Sequence, residues 1–296
     1  LLSELAPMDL VVASYGILQN EAERLAEVRW STVALDEAQA IKNMGTKRSG
    51  AVMKLNAGFR IATTGTPIEN RLSELWSLFR FLNPHYLGSF ESFNRRFAIP
   101  IERDGDREAR LRLRRMIQPF ILRRTKEQVL EELPAKTEIT LRVEMGEEEF
   151  AFYEALRRAA VETFSVGGAA EDRRLQIFAE LMKLRRACCS ASLVDPEVRL
   201  PSAKREAFLD IVAELRSGGH KALVFSQFVG HLAILRDCLE REGVPYQYLD
   251  GATPPEERRR RVAAFQAGEG DCFLISLKAG GTGLNLTAAD YVIHMD

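Results

Sequence analysis

No apolar run in the 296 residues is long enough to cross a bilayer, so a helical membrane span is excluded. Cysteine is scarce: Cys188, Cys189, Cys238 and Cys272 are the four, with no C-x-x-C and no paired spacing. That argues against a disulfide frame or a zinc site and predicts reduced, buried thiols in a reducing compartment. Neither sign of charge dominates. Lys plus Arg is 41 against 42 Asp plus Glu, so a nucleic-acid site would have to be a local patch. No G-x-x-x-x-G-K-S/T occurs, so the chain holds no Walker A loop, and the lack of H-R-D and D-F-G triplets rules out a protein kinase. There is no short internal repeat and no low-complexity tract. The N-terminus has neither an initiator Met nor a basic-then-apolar leader, and the last residues fall inside an apolar strand-like run. Both ends therefore read as cut. The four His are scattered and read as structural or exposed.

What is present is enough for two domains, with 46% apolar residues to build their cores. Residues 9–13, 32–35 and 59–63 read as buried strands alternating with helices, which implies parallel βαβ units. From residue 71 to 97 the period becomes helical: Leu72, Leu75, Trp76, Leu78, Phe79 and Leu82 share a face, Pro84 closes it, and Phe90, Phe93 and Phe97 continue a second helix. Such aromatic stripes read as helix core. An Arg-rich helix is expected over 107–117, and a linker at Leu133-Pro134-Ala135-Lys136. Beyond it come an alternating strand over 137–143, helices over 147–164 and 171–187, and a second βαβ series. That series has strands at 222–225, 246–249, 272–275 and 291–295. The class is α/β, two parallel-sheet halves flanked by helices with helical matter between them.

The chemistry concentrates at strand ends, where ligands bind in open α/β sheets. Asp36 and Glu37 end the strand Thr32-Val33-Ala34-Leu35. One such acid can hold a hard cation that keeps most of its waters, and the other can orient or deprotonate a water. The same pair alone would also simply favour a following helix. Thr64-Gly65-Thr66-Pro67 ends a third strand: Gly65 permits a tight turn, and two hydroxyls can bond a carboxylate, a water or a phosphate. Ser276 to Leu286 leaves another strand as a loop in which three glycines allow close backbone approach to phosphates, while Lys278 and Thr282 add a charge and a hydroxyl. A mobile surface loop is the alternative. The run Arg258-Arg259-Arg260-Arg261 reads as a solvated helix face, and the pairs Arg123-Arg124, Arg157-Arg158, Arg173-Arg174 and Arg185-Arg186 read the same way.

Taken in order, the stretch from Asp9 to Tyr15, Leu35-Asp36-Glu37-Ala38-Gln39-Ala40-Ile41-Lys42-Asn43 and Thr64-Gly65-Thr66-Pro67-Ile68-Glu69-Asn70-Arg71-Leu72 resemble the Snf2 family of superfamily 2 helicase-like ATPases. Residues 119–126, Val224-Phe225-Ser226-Gln227-Phe228, Leu249-Asp250-Gly251 and the loop from Ser276 extend the resemblance over nearly the whole chain. The lack of a long insertion between the halves resembles a bacterial member. The resemblance implies two RecA-like lobes with helical protrusions and ATP in the cleft between them. Residues 1–135 would be the C-terminal part of the first lobe, with a protrusion at about 71–118. Residues 136–296 would be the second lobe, with a protrusion at about 146–190.

By the same resemblance, Asp36 holds Mg2+ through water and Glu37 activates the attacking water. Gln39, Thr64, Gly65 and Thr66 couple nucleotide state to lobe closure. Gly280 and Gly281 face the nucleotide. Ser14, Tyr15, Ser226, Gln227, Lys278 and Thr282 line a track for the DNA backbone, and Arg123 and Arg124 sit near the crossing between lobes. The implied cofactors are ATP and Mg2+. The implied partners are double-stranded DNA and an unidentified protein bound to it, in the cytoplasm, associated with the nucleoid if the source is bacterial. The family's Walker A Lys loop and its arginine-finger motif are absent from these residues, so the chain by itself is expected not to hydrolyse ATP. Cys188-Cys189-Ser190-Ala191 departs from the family's Cys-Asn-His-Pro-like sequence, a structural variation away from the nucleotide. Two other readings stand beside this one: a non-catalytic nucleic-acid-binding or scaffold module of the same fold, and a strand-separating helicase of a sister family.

Overall fold

The computed structural model describes residues 2–65, 71–129, 136–165, 170–280 and 284–296. The chain divides into two compact units, Leu1–Ala135 and Lys136–Asp296.

In the first unit, helices α1 (Tyr15–Asn20) and α2 (Ala22–Ala26) precede β1 (Arg29–Leu35), a 3-10 turn (Ala38–Ile41), α3 (Lys47–Met53) and β2 (Asn56–Ala62). The two strands pair in parallel, with Leu35 opposite Ala62. Under them lies a core of Leu18, Leu25, Leu35, Ile41, Val52 and Phe81. Helix α4 (Leu72–Leu82) is buried nearly all round. Leu78 and Phe81 point into that core, whereas Leu75, Trp76 and Phe79 enter a second one with Phe93, Phe97 and Leu113. A helix apolar on two faces has to be sandwiched, so α4 joins the sheet to the helical protrusion. The protrusion continues through α5 (Phe90–Phe93), a π-helical turn (Asn94–Ala98), α6 (Ile99–Glu102) and α7 (Arg107–Ile117), and α8 (Lys126–Val129) follows.

Two expected strands do not form. Residues 9–13 have no regular secondary structure and join no ladder among the described residues, and Leu10 and Val12 are each 87% exposed. Residues 137–143 likewise stay unpaired, with Ile139 and Leu141 exposed. Apolar alternation favours a strand only where a neighbouring strand and a covered face exist, and neither segment has them.

In the second unit, α9 (Glu147–Ser165) and α10 (Ala170–Ala187) lead into α11 (Ala203–Ser217), β3 (Ala222–Ser226), α12 (Val229–Arg241), β4 (Tyr246–Leu249), α13 (Pro255–Gln266), β5 (Cys272–Ser276), α14 (Leu277–Gly280) and β6 (Tyr291–His294). The sheet is parallel, in the order β4-β5-β3-β6. The central strand β5 is buried throughout, as a strand covered on both faces must be. One core face holds Phe208, Val224, Leu232, Leu235 and Leu274, and the other holds Leu223, Leu249, Phe265 and Phe273. Glu149 of α9 accepts a hydrogen bond from the Ala203 N–H at 2.9 Å, satisfying a free donor at the start of α11 and tying the helical pair to the sheet. No helix among the described residues is long and apolar enough to cross a membrane. The four cysteines are free; three are buried and Cys188 is half-buried.

His231 of α12 is fully buried, and neither ring nitrogen has a hydrogen-bond partner. Burial is the first cause that pushes its pKa down to about 4. The charge of Lys204 acts in the same direction and that of Asp296 opposes it. The unfolded chain therefore takes up this proton first, at an ordinary value near 6.5. Stability is complete above about 6.5 and falls as the pH drops toward about 4, by about 3 kcal/mol if this group acts alone. A His231→Leu variant is expected to lose less melting temperature than the wild type between pH 7 and pH 5; equal losses would show that His231 does not set this dependence.

Candidate functional site

The acidic site of the first unit grows out of the β1–β2 pairing. One step beyond Leu35 and Ala62, the Thr63 N–H donates to the Leu35 carbonyl at 2.8 Å and the Ala38 N–H donates to the Thr63 carbonyl at 2.9 Å. This brings the strand ends together. The Thr63 hydroxyl donates to Asp36 Oδ1 at 2.6 Å, and the Glu37 N–H donates to the same oxygen at 3.0 Å. These two bonds, the hydroxyl first, hold the Asp36 carboxyl below the usual carboxylate range, while the side chain remains exposed. A Thr63→Val variant removes the larger cause, so the Asp36 pKa is expected to rise. Titration of its carboxyl carbon by NMR checks this, and an unmoved value would refute it.

Glu37 adopts a left-handed backbone at φ 48 and ψ 50, uncommon for a residue with a side chain and found where function holds the chain in strain. The turn directs the two acids differently. The Gln39 amide nitrogen donates to Glu37 Oε2 at 2.5 Å, and the Thr64 hydroxyl donates to Gln39 Oε1 at 2.7 Å. Thr64, Gln39 and Glu37 thus form one hydrogen-bonded relay, with the amide orientation fixed from both sides. Below it the buried Ser77 hydroxyl donates to the Ile41 carbonyl at 2.7 Å and anchors the 3-10 turn. Gly65 has no positive φ, and an added Cβ would meet nothing within 4 Å, so the bend there does not depend on glycine.

The Tyr15 hydroxyl donates to the Asp36 carbonyl at 2.8 Å, and the Arg48 guanidinium lies 5.7 Å from the ring centre. Burial, then the Asp36 charge, pushes the Tyr15 pKa up to about 12. Ser14 accepts from the Ile17 N–H at 3.3 Å and caps α1. Tyr15 therefore joins the acidic site, while the Ser14 side chain has a local task. Arg123 and Arg124 are exposed in a stretch without regular secondary structure and form no ion pair among the described residues.

In the second unit the carboxyl ends of β3, β5 and β6 meet, with Ser226 opposite Ser276. Ser226 is buried, and its hydroxyl bonds the backbone of Phe228. The Gln227 N–H donates to the Asp296 carboxylate, and the Gln227 side-chain oxygen accepts from Arg185 at 3.4 Å. Where a loop is expected after β5, the chain makes the helical turn α14. Its Ala279 N–H donates to the Ser276 hydroxyl at 3.4 Å, and its Ala279 carbonyl accepts from Arg258 at 2.7 Å. Gly280 sits against the Phe225 ring, where a Cβ would lie 2.7 Å from Cε1. Lys278 is exposed. Thr66, Gly281 and Thr282 lie outside the described residues.

The expectation of a wholly solvated four-arginine run is corrected here. Arg258 holds the turn after β5, and Arg261 donates to the Tyr248 carbonyl while pairing with Glu257. Sequence reasoning also missed Thr63 as the partner of Asp36. The available signal was the register, which carries the residue after Ala62 to the residue after Leu35. Among the described residues, no group of three His, Cys, Asp or Glu is placed to hold a metal. A cation here would rest on one or two carboxylates.

The SNF2-related domain family matches residues 3–193, and the helicase conserved C-terminal domain matches 203–296. The first match runs past the boundary between the units, because α9 and α10 pack with the second unit. A Bacillus subtilis protein, YwqA, classed by its name among ATP-dependent helicases/translocases, is 40% identical over 97% of this chain and 32% of its own length. The ISWI chromatin-remodeling complex ATPase CHR11 of Arabidopsis thaliana is 34% identical over 97% of this chain and 28% of its own. Among solved structures, the Sulfolobus solfataricus SWI2/SNF2 ATPase core in complex with dsDNA aligns with a TM-score of 0.50 at 36% identity, covering 95% of this chain and 61% of that one. The chain thus spans about a third of the length of the curated relatives it matches.

Proposed function

The chain belongs to the SNF2-related family and has its α/β core of two RecA-like lobes, and from that premise we propose that it is part of an ATP-driven translocase on double-stranded DNA. The observation that carries the reading is the relay from Thr64 through Gln39 to Glu37, beside an ionised Asp36. A general base connected to the next strand end by two short hydrogen bonds can register what occupies both.

Asp36 fits Mg2+. Its carboxyl is held anionic and exposed, and its bonds from Thr63 and Glu37 converge on Oδ1 alone. It would hold the ion through a water, and the ion when bound supplies positive charge to the phosphate oxygens. Glu37 would take the proton of the attacking water, and Gln39 would keep the Glu37 carboxylate in its orientation. Residues 1–135 are read as the C-terminal part of the first lobe and residues 136–296 as the second. ATP would lie in the cleft between the two, with Gly280 and Gly281 toward the nucleotide and Arg123 and Arg124 near the crossing.

Duplex DNA would contact the exposed Lys278, with Gln227 and Thr282. Ser14, Tyr15 and Ser226, whose hydroxyls also bond nearby backbone, would lie along the same track. Phosphate contacts carry no sequence information, which suits stepping along any duplex and displacing a protein bound to it. A phosphate-cradling Lys loop and a transition-state Arg would come from elsewhere in the parent protein, because neither motif occurs within these 296 residues.

ATP hydrolysis by the parent protein, measured without DNA, with single strands and with duplex, tests this. Turnover that rises on adding duplex, with no strand separation, is the expected result. Turnover indifferent to DNA would overturn the DNA-driven reading, and nucleotide binding without turnover would favour the non-catalytic module instead.

A further inference from the structure

Helix α7 carries five arginines in eleven residues: Arg107, Arg110, Arg112, Arg114 and Arg115. Its other face is committed to the fold. Ala109 and Leu113 are buried in the protrusion core, with Met116 and Ile117 packed against it, and the Asp106 carboxylate caps the N-terminus through the Glu108 and Ala109 N–H groups at 2.8 and 3.0 Å. All five arginines are exposed, and none is paired with a carboxylate among the described residues. Two of the other arginine runs differ. Arg157 and Arg158 pair with Glu154, and Arg260 and Arg261 pair with Glu257. In a chain whose net charge is −1, this concentration of unneutralised cations is local to α7.

We infer that the outward face of α7 is a second duplex-DNA contact, on the first-unit protrusion and apart from the strand-end motifs. The inference rests on the duplex-DNA reading above. Arg107, Arg110 and Arg114 fall on one side of the helix at i, i+3 and i+7, a span of about 10 Å. Along that length a duplex presents about six phosphate charges. Guanidinium groups match phosphate oxygens in pairs, and at neutral pH they do not lose their charge. An acidic protein is the other anionic partner to consider. Stable protein interfaces have an apolar centre, yet this face offers Leu111 alone, half-exposed among arginines. A row of cations without such a centre suits a phosphate backbone. The contact would add affinity without sequence preference and keep the protrusion against DNA when the motif-lined contacts release during a step.

The test is a salt titration of the 296-residue chain on labelled duplex DNA. It compares the wild type, a triple Arg107→Gln, Arg110→Gln, Arg114→Gln variant, and a control of equal charge change, Arg24→Gln, Arg157→Gln, Arg158→Gln. Exposed substitutions of this kind leave folding nearly unchanged, and an unchanged melting temperature confirms it for each variant. The slope of log affinity against log salt should be shallower by about 2–3 in the α7 variant, since each lost phosphate contact removes about 0.9. The control should keep the wild-type slope. An α7 variant with the wild-type slope, or a control that falls equally, overturns this inference and leaves the translocase reading standing. Loss of binding to poly-glutamate with the duplex slope intact would assign the face to an acidic protein and also overturn it. A wild-type chain that binds no duplex at any salt removes the DNA reading itself.

Discussion

Replacing Glu37 by Gln in the parent protein is expected to lower ATP turnover by about 10²–10⁴-fold, the usual contribution of a positioned general base. The fold should not change. The Gln39 amide donates to a Glu37 oxygen, and a glutamine at position 37 still offers an acceptor there. The side chain is exposed, so the substitution leaves no cavity. What it removes is the ability to take a proton at that spot. Nucleotide affinity should therefore stay close to wild type while kcat falls, and the variant should hold duplex DNA in the presence of ATP. Turnover within a few-fold of wild type would remove Glu37 from the chemistry, and the relay through Gln39 and Thr64 would then be only a structural brace.

Gly280→Ala is expected to destabilise the second unit by about 1–3 kcal/mol, the usual cost of forcing a methyl group into a packed site. The new Cβ would lie 2.7 Å from Phe225 Cε1 and 3.3 Å from Ile275 Cγ2. Phe225 cannot simply swing aside, because its ring stacks on His294 at 5.6 Å and its strand is central in the sheet. Thermal unfolding should show a melting temperature lower by several degrees, and Phe225→Leu in the same chain should restore part of it. An alanine variant that melts with the wild type would mean the ring gives way freely. The glycine, expected from composition to bring backbone close to phosphate, is required here by an aromatic ring.

The strand-end acids, the parallel pairing and most helices were legible because each depends on a local pattern: a short apolar run, a helical period, a closing proline. Helix α7 and strand β4 run over the residues expected for them. Residues 9–13 and 137–143 were not legible. They have the composition of strands, and only the rest of a sheet decides whether such a segment is paired. The turn after β5 was misread for a related reason. Three glycines suggest a loop, but its first four residues wind into a helix, bonded locally by the Ser276 hydroxyl and held by the Arg258 guanidinium, which only tertiary structure supplies. The Thr63–Asp36 bond needed the β1–β2 register, which composition does not reveal.

Because α4 is a wall of both the sheet core and the protrusion core, the two cannot come apart separately. The helix amides should share one hydrogen-exchange protection with the strands beside them, as a single cooperative block. A load borne by the protrusion would then reach the strand that carries the acids through α4 as a stiff lever.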